Sequence, residues 1–166
     1  MQNNRIARVL QAMQAQGLTQ MIVSDSQSID YLTGVYVEPF ERLFALYLRA
    51  DGRHIFFLNK LFTVPETPIE RVWFTDTDDA VGMIASRVEA GAPLGIDKTW
   101  PARFLLPLME RLPGTPCRLA SDCVDGVRAC KDAAEQELMR ENSRNNDEAM
   151  RRAPAVPHGR AAIAFL

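Results

Sequence analysis

The sequence has 166 residues, of which 47% are hydrophobic and 24% are charged, and its formal net charge is −2. These values are ordinary for a soluble globular protein, and the length indicates one domain that can bury a real core. No basic cluster suggests nucleic-acid binding, and no apolar run approaches the ~20 residues of a membrane helix. We therefore expect a cytoplasmic protein in which Cys117, Cys123 and Cys130 are free thiols.

The chain opens with alternating helical and strand-like patterns. Apolar residues at helical spacing predict an amphipathic helix that ends at Gly17. A short buried strand is predicted at 21–23. Asp25 or a neighbouring serine can then cap a short helix that runs through Ile29 and Leu32.

A hairpin is the clearest local signal in the sequence. The dipeptide Asp51-Gly52 separates two apolar runs, which predicts antiparallel strands at 43–49 and 54–58. A single helical turn is predicted at 60–64, before two prolines that keep the following segment irregular.

The second half of the chain continues the alternation of strands and helices. In order, the patterns predict a strand at 71–74, a helix from the acidic stretch 76–79 to Val88, a strand at 94–96, a helix at 101–112, a strand at 117–119, and a long charged helix from Asp132 to about Arg152. Together with the hairpin, this alternation predicts an α/β fold: a mixed β-sheet flanked by helices on both faces.

A polar loop before the predicted hairpin carries the charged pair Glu41-Arg42. The pair can be read as a surface salt bridge that closes a turn, which stabilises a fold little. It can also be read as a binding group, because a planar guanidinium at a loop edge suits a carboxylate ligand. Residue types alone leave both readings open.

Chemistry for catalysis is sparse in this sequence. Of the two histidines, His54 lies in a predicted strand and His158 in an irregular tail, and neither has metal ligands at the usual spacing. Six aspartates lie near predicted element ends and could converge on a magnesium ion, although aspartates there mostly act as helix caps; they are Asp25, Asp30, Asp76, Asp78, Asp79 and Asp97.

Several segments, in the same order, resemble the N-terminal domain of the creatinase/prolidase family of pita-bread metallopeptidases, and most closely bacterial Xaa-Pro dipeptidases. The segments are Tyr31-Leu32-Thr33-Gly34, then Glu38-Pro39, Glu41-Arg42-Leu43, Ala50-Asp51-Gly52, Leu94-Gly95-Ile96-Asp97, the run 127–135, Leu138-Met139-Arg140 and Asp147-Glu148-Ala149-Met150. After Met150 the sequence departs from the family.

The resemblance implies a domain at 1–130 with a ribonuclease H-like motif, a linking helix at 131–152 and an irregular tail at 153–166. Family members carry a second lobe that binds two divalent metals, commonly manganese, cobalt or zinc, and attacks the bond before proline. We expect that lobe to be absent here, so no catalytic or metal-binding residue is assigned to this chain.

The resemblance also implies what the domain contributes. The expected role is non-catalytic: shaping substrate access and taking part in a homodimer, with a proline-containing dipeptide or short peptide as the substrate of the full-length enzyme. We expect Glu41 and Arg42 to lie near the substrate entrance, with Tyr36 and Phe40 as its walls.

Two other hypotheses remain from the sequence. The chain could be a stand-alone interaction or ligand-binding module that kept the sheet and lost the chemistry. It could also be a magnesium-dependent enzyme that uses the aspartates named above.

Overall fold

The computed structural model of the protein describes residues 2–153. His158 and the predicted tail beyond Ala153 lie outside the described residues. The chain divides into two compact units, one that extends to Ala129 and one that begins at Cys130. No helix within residues 2–153 combines the length and the apolar character that crossing a membrane requires.

The first unit contains six strands and five helices among its described residues. The strands are β1 Gln20–Val23, β2 Ala45–Arg49, β3 Ile55–Asn59, β4 Glu70–Phe74, β5 Leu94–Ile96 and β6 Cys117–Leu119. The helices are α1 Gln2–Ala15, α2 Ser26–Thr33, α3 Ala80–Ala85, α4 Ala102–Arg111 and α5 Asp122–Ala129.

All six strands form one sheet in the order β4-β3-β2-β1-β5-β6. β2 runs antiparallel to both of its neighbours, β1 and β3, and the remaining pairs are parallel. The carboxyl ends of β1, β3, β4, β5 and β6 therefore meet at one edge of the sheet, where β2 begins. Ligands of open α/β sheets bind at this edge.

Helices cover both faces of the sheet, as the sequence pattern predicts. Successive side chains of β2 point to opposite faces, so that Leu46 and Leu48 enter one hydrophobic core while Ala45 and Tyr47 enter the other. The first core also contains residues of α1, α2 and α5, and the second contains residues of α3 and α4. Because β2 is buried on both faces, its sequence is a continuous apolar run.

The predicted hairpin is confirmed. β2 and β3 pair in antiparallel register, with Tyr47 opposite Ile55. Gly52 lies in the turn with φ of 82°, a conformation that glycine adopts without steric cost. The two strands begin slightly later than predicted, at Ala45 and Ile55.

The second unit contains the long charged helix, α6 Ala133–Arg152. Asp132 and Glu135 form a capping box at its start, each side chain accepting a hydrogen bond from the other residue's backbone N–H. Ion pairs within one or two turns, such as Glu148 with Arg152 at 2.7 Å, lie along its surface. The role of 131–152 as a link to another lobe stays a prediction.

Two predictions about local structure are wrong. Residues 60–64 form no helical turn; a reverse turn at Lys60-Leu61 follows β3 instead. The Asn59 side chain accepts a hydrogen bond from Leu61 N at 3.0 Å, and Pro65 keeps Val64 out of the helical region. The helix predicted to reach Val88 is only α3, which ends at Ala85, although Val88 is buried as expected.

The sequence analysis also missed α5, Asp122–Ala129. Its apolar face consists of Cys123, Val124 and Val127, which all lie in the first core. Three residues over two turns make a weak periodic signal, and Gly126 in the same stretch lowers helix propensity. Packing of this face on the sheet therefore stabilises the helix, because the local sequence favours it only weakly.

The close packing of β5 predicts that Gly95→Ala destabilises the first unit by about 1–3 kcal/mol. A Cβ atom at Gly95 would lie 2.9 Å from the Ala120 Cβ and 3.1 Å from the Met21 Cβ. The matched control is Gly126→Ala in α5, where nothing lies within 4 Å of the added atom. That change should stabilise the helix by about 0.5–1 kcal/mol. Urea unfolding followed by circular dichroism measures both, and equal effects of the two substitutions would contradict the packing argument.

Candidate functional site

The candidate site lies at the edge of the sheet where the five parallel-running strands end. Ser24 and Asp25 follow β1, Asp76 follows β4 closely, and Asp97 follows β5 directly. The polypeptide returns to this edge to enter β2 through residues 35–44, which we call the entry loop. Most of the polar residues that the sequence pattern singled out are therefore brought to one edge.

Asp97 connects the ends of β1 and β5 at this edge through hydrogen bonds of its side chain. Its side chain is buried, with the residue only 7% exposed. One carboxylate oxygen accepts hydrogen bonds from Ser24 N and from Asp25 N, the latter at 2.9 Å. The other accepts from Ser24 Oγ at 2.9 Å and from Thr99 N and Oγ1, both at 3.0 Å. The ends of β1 and β5 are held in register by these bonds.

Asp25 determines where α2 begins. Its carboxylate accepts hydrogen bonds from Ser28 N at 2.9 Å and from Ser28 Oγ at 2.6 Å, which is the N-cap arrangement. Arg128 of α5 lies 3.5 Å from the same carboxylate. The helix ends at Gly34, whose left-handed conformation (φ 74°) turns the chain into the entry loop.

The entry loop is anchored by buried side chains on both sides of an exposed tip. Val35 and Val37 are buried before the tip, and Leu43 and Phe44 are buried after it. Phe40 at the tip is 83% exposed and has φ of 51°, which is unusual for a residue other than glycine. A bulky side chain is thus held in solvent by a backbone conformation that costs about 1–3 kcal/mol.

Arg42 pairs with Asp76, which follows β4 and is itself bonded to the last residue of β3. Its Nε lies 3.1 Å from Asp76 Oδ1 and its Nη2 lies 3.2 Å from Asp76 Oδ2, a bidentate pair. Asn59, the last residue of β3, donates to Asp76 Oδ1 at 2.7 Å. The hydrogen bond from Arg42 lowers the pKa of Asp76 and raises that of Arg42. Arg42 therefore does form a surface salt bridge, as one of the two interpretations from the sequence has it, but its partner is Asp76 and not Glu41.

Two clefts open on either side of Arg42. The first, which we call the aromatic cleft, has a volume of about 310 Å³ and is lined by Asp25, Tyr36, Phe40, Arg42, Trp100 and Phe104, among others. The second has a volume of about 580 Å³ and a charged lining that includes Glu41, Arg42, Asp76, Asp79, Arg103 and Arg111. Three of the four predicted loop residues line the aromatic cleft, and Glu41 lines the charged cleft.

Five of the six aspartates named in the sequence analysis, all except Asp30, serve as caps or hydrogen-bond acceptors. Asp79 caps α3 by accepting from Gly82 N at 3.0 Å, and Asp78 accepts from Thr75 N and Oγ1, both at 2.7 Å. Within residues 2–153, no three His, Cys, Asp or Glu side chains lie together in a way that could hold a metal ion. The geometry supports the capping interpretation of these residues.

His54 lies away from this edge, at the start of β3. Its Nδ1 accepts a hydrogen bond from Arg49 N at 3.2 Å, and burial lowers the pKa of its imidazole. It belongs to the hairpin and not to the candidate site.

Sequence reasoning missed the aromatic residues that follow β5. Trp100 and Phe104 line the aromatic cleft together with residues of the entry loop. The signal was present, since Trp100-Pro101 comes just after a predicted strand end. Periodicity placed Phe104 in the helix at 101–112 and left Trp100 unassigned, and no local pattern indicates that two distant segments meet.

The fold and the site define an α/β domain with open clefts at the carboxyl edge of a mixed sheet. Residues 5–130 match the family model described as the creatinase/prolidase N-terminal domain. The chain belongs to this family.

Curated relatives extend well beyond the matched length. Proteins described as probable dipeptidase PepE from Mycobacterium tuberculosis and Mycobacterium bovis are 30% identical over 159 residues. The match covers 90% of this chain and 42% of each relative. The chain therefore spans about two fifths of the length of these relatives.

Solved structures with the same fold agree with this assignment. Dipeptidase PepE from Mycobacterium ulcerans is 28% identical with a TM-score of 0.70, covering 82% of this chain and 38% of that one. A prolidase from Thermococcus sibiricus has a TM-score of 0.80 at 21% identity, covering 92% and 43%. The creatinase/prolidase N-terminal domain of an X-Pro dipeptidase from Streptococcus pyogenes has a TM-score of 0.61 at 18% identity, covering 75% and 98%.

The hydrogen bonds of Asp97 predict a large effect of Asp97→Asn. The amide nitrogen of asparagine cannot accept hydrogen bonds, so it would face donors at the ends of β1 or β5. We expect the free energy of unfolding to fall by about 1–3 kcal/mol in urea denaturation. Asp122→Asn, the same change at an exposed position in the first turn of α5, is the control and should have a smaller effect. Equal effects would contradict a special role for Asp97.

The pairing of Arg42 predicts a local electrostatic effect without unfolding. Arg42→Ala should raise the pKa of Asp76 toward its ordinary value, as measured by NMR titration of the carboxyl carbon, because the main cause of its lowering is removed. Arg42→Lys should retain part of the shift.

The Arg42–Asp76 pair also has a defined pH dependence. Since the pKa of Asp76 is lowered in the folded state, any stability from the pair is present above the ordinary aspartate pKa and disappears as the pH falls below it. At neutral pH the urea midpoint of Arg42→Ala should nevertheless stay close to that of the parent, because exposed ion pairs contribute little. A large loss of stability at neutral pH would show that Arg42 is a structural residue.

Proposed function

We propose that this chain is the non-catalytic N-terminal domain of an Xaa-Pro dipeptidase-like metallopeptidase. The observation that supports this proposal most is its 30% identity to probable dipeptidases over 90% of its own length but only 42% of theirs. A solved structure that the chain covers to 98% is itself described as the N-terminal domain of an X-Pro dipeptidase. In such an enzyme the domain would shape the access of short, proline-containing peptides and take part in a homodimer.

The entry loop is the part that we assign to substrate access or to the dimer contact. Phe40 is exposed in a strained conformation, while Arg42, Leu43 and Phe44 hold the loop after it. An exposed aromatic residue on a rigid loop offers a large contact area at a small entropic cost. Such a loop suits contact with a neighbouring subunit or with a substrate at the entrance of an active site.

The proposal assigns the hydrolytic chemistry to a second lobe. The residues that the structure describes do not fit a pair of divalent metals, because the aspartates near the strand ends already cap helices or bind neighbouring groups. We place a manganese, cobalt or zinc pair, and the catalytic residues, outside this domain. We also place the enzyme in the cytoplasm, which suits the free thiols Cys117, Cys123 and Cys130.

A stand-alone ligand-binding module is the second candidate function. The aromatic cleft favours it, since all of the cleft's lining residues lie in the first compact unit. The two functions differ in what they require: the first needs a second lobe for any turnover, and the second does not involve turnover.

The proposal predicts that the isolated domain does not hydrolyse dipeptides but supports hydrolysis as part of a full-length enzyme. The isolated chain with added Mn²⁺ or Co²⁺ should not hydrolyse Ala-Pro or Leu-Pro above a chelator-treated control. A hybrid in which residues 5–152 replace the matching segment of the Mycobacterium tuberculosis relative should form a dimer in sedimentation analysis and hydrolyse one of these dipeptides. Turnover by the isolated chain would overturn the assignment.

Loop variants of the same hybrid test the role of the entry loop. We expect Phe40→Ala or Arg42→Ala to raise KM or to weaken the dimer, lowering kcat/KM by about tenfold or more, because each removes a contact to substrate or partner. Leu61→Ala removes another exposed side chain, at a turn that lines neither cleft of the site, and should have no effect. Equal effects of the three substitutions would contradict a role of the entry loop in substrate access or dimer contact.

A further inference from the structure

One edge of the sheet, the strand β4, carries backbone groups that point away from the sheet. β4 pairs only with β3, so its other side is open. Phe74 O accepts a hydrogen bond at 2.8 Å from the N–H of Lys60, which follows β3. Successive residues of a strand direct their N–H and C=O groups to alternate sides. The backbone groups of Phe74 and of the residues two and four before it therefore face β3, and those of Arg71 and Trp73 face outward.

The outward groups of Arg71 and Trp73 have no hydrogen-bond partner among residues 2–153. The strand itself is accessible, since Glu70 at its start is exposed and Trp73 is 36% exposed. A row of unpaired backbone groups at a sheet edge is a template for pairing with another strand. The open side of β4 is therefore a surface on which one further strand fits.

The sequence of β4 is complementary to itself in one register. When two copies pair antiparallel about a twofold axis at Val72, all five residues of each strand are paired. Arg71 of one copy then lies opposite Trp73 of the other, on the same face of the sheet, and this pair occurs twice. A guanidinium beside an indole ring makes a favourable cation–π contact. Since these residues also carry the outward backbone groups, each such pair exchanges two backbone hydrogen bonds.

The other edge strand, β6, lacks this complementarity. Ala120 N donates to Ile96 O at 2.8 Å, toward β5. The outward backbone groups consequently belong to Cys117 and Leu119. The register that pairs all of β6 with its own copy is centred on Arg118 and sets two guanidinium groups opposite each other. Because like charges in opposite positions destabilise a strand pair, this edge opposes the self-pairing that β4 favours.

We propose that β4 is an interaction surface for a second copy of this chain, which pairs antiparallel with it in the register centred on Val72. Two sheets of six strands then form one continuous sheet. Each Arg71 lies opposite the partner's Trp73 and keeps its ion pair with Glu66 of its own chain. The contact is confined to one short strand, which is small for a protein interface. The dimer is therefore weak, with a Kd of about 0.1–1 mM.

This interface goes beyond the proposed function. It involves neither the entry loop nor a second lobe, and β4 lies within the first compact unit of the chain. The full chain by itself is therefore the right material for the test.

Exchange of backbone amide hydrogens, followed by NMR, tests the pairing with an internal control. The Arg71 and Trp73 N–H groups should exchange at least about twofold more slowly at ~1 mM protein than at ~20 µM, because pairing protects them. The Cys117 and Leu119 N–H groups, which face outward from β6, should exchange at an unchanged rate. Sedimentation equilibrium over the same range should show monomer and dimer without larger species, because a twofold contact closes on itself.

Charge variants at Trp73 test the register. Trp73→Lys sets a lysine opposite the partner's Arg71 and should weaken the dimer at least about tenfold. Trp73→Glu sets a carboxylate at the same place and should keep the Kd within about threefold of the parent, since an ion pair replaces the cation–π contact. Leu119→Lys, the same change on the other edge strand, is the control and should leave the Kd unchanged. Circular dichroism at low concentration verifies that each variant is folded.

Three results would overturn the proposal. One is a chain that remains monomeric at ~1 mM. Another is a dimer in which the Arg71 and Trp73 amides are unprotected, or which Trp73→Lys and Trp73→Glu weaken equally, since it would then use another surface. The third is protection of these amides that does not change with protein concentration, which would mean that a segment of the same chain covers the edge. None of these results depends on whether the hybrid enzyme hydrolyses dipeptides, so the two proposals fail separately.

Discussion

The carboxylate of Asp97 is the interaction on which the candidate site depends. Its five hydrogen bonds join Ser24 and Asp25 at the end of β1 to Thr99 after β5. These two segments also carry Asp25 and Trp100, which both line the aromatic cleft, so the join holds two parts of its lining together. A buried carboxylate is tolerable here only because backbone and hydroxyl donors surround it, which makes the arrangement sensitive to loss of a single acceptor.

A second join completes the edge on the other side of β2. Asp76 after β4 receives Arg42 from the entry loop and Asn59 from β3. One join thus connects the ends of β1 and β5, and the other connects the ends of β3 and β4 to the entry loop. The entry loop is consequently not a free surface loop, and the strained, exposed Phe40 is supported by the packing around it. Rigid presentation of this kind is what recognition of a peptide or of another subunit requires.

Local patterns predicted the elements whose causes are themselves local. The hairpin follows from Asp51-Gly52, the buried strands from continuous apolar runs, and α6 from a capping box and a charged surface. Predictions failed where distant residues determine the structure. The helix α5 is stabilised by packing on the sheet more than by its own sequence. In the turn after β3, the Asn59 side chain accepts a hydrogen bond from Leu61 N, which competes with a helical turn. Arg42 was recognised as important, but its partner is 34 residues away.

The sequence by itself determined the fold class, the order of the six strands and the resemblance to the creatinase/prolidase family. It also placed Tyr36, Phe40 and Arg42 on a loop before a buried strand, because hydrophobic period and turn chemistry are properties of neighbouring residues. Only the tertiary structure decided that Trp100 lines the same cleft as that loop, that Asp76 holds Arg42, and that the aspartates at the strand ends are caps and acceptors. Those contacts arise because β1, β3, β4 and β5 end at one edge, and no short window of sequence contains that convergence.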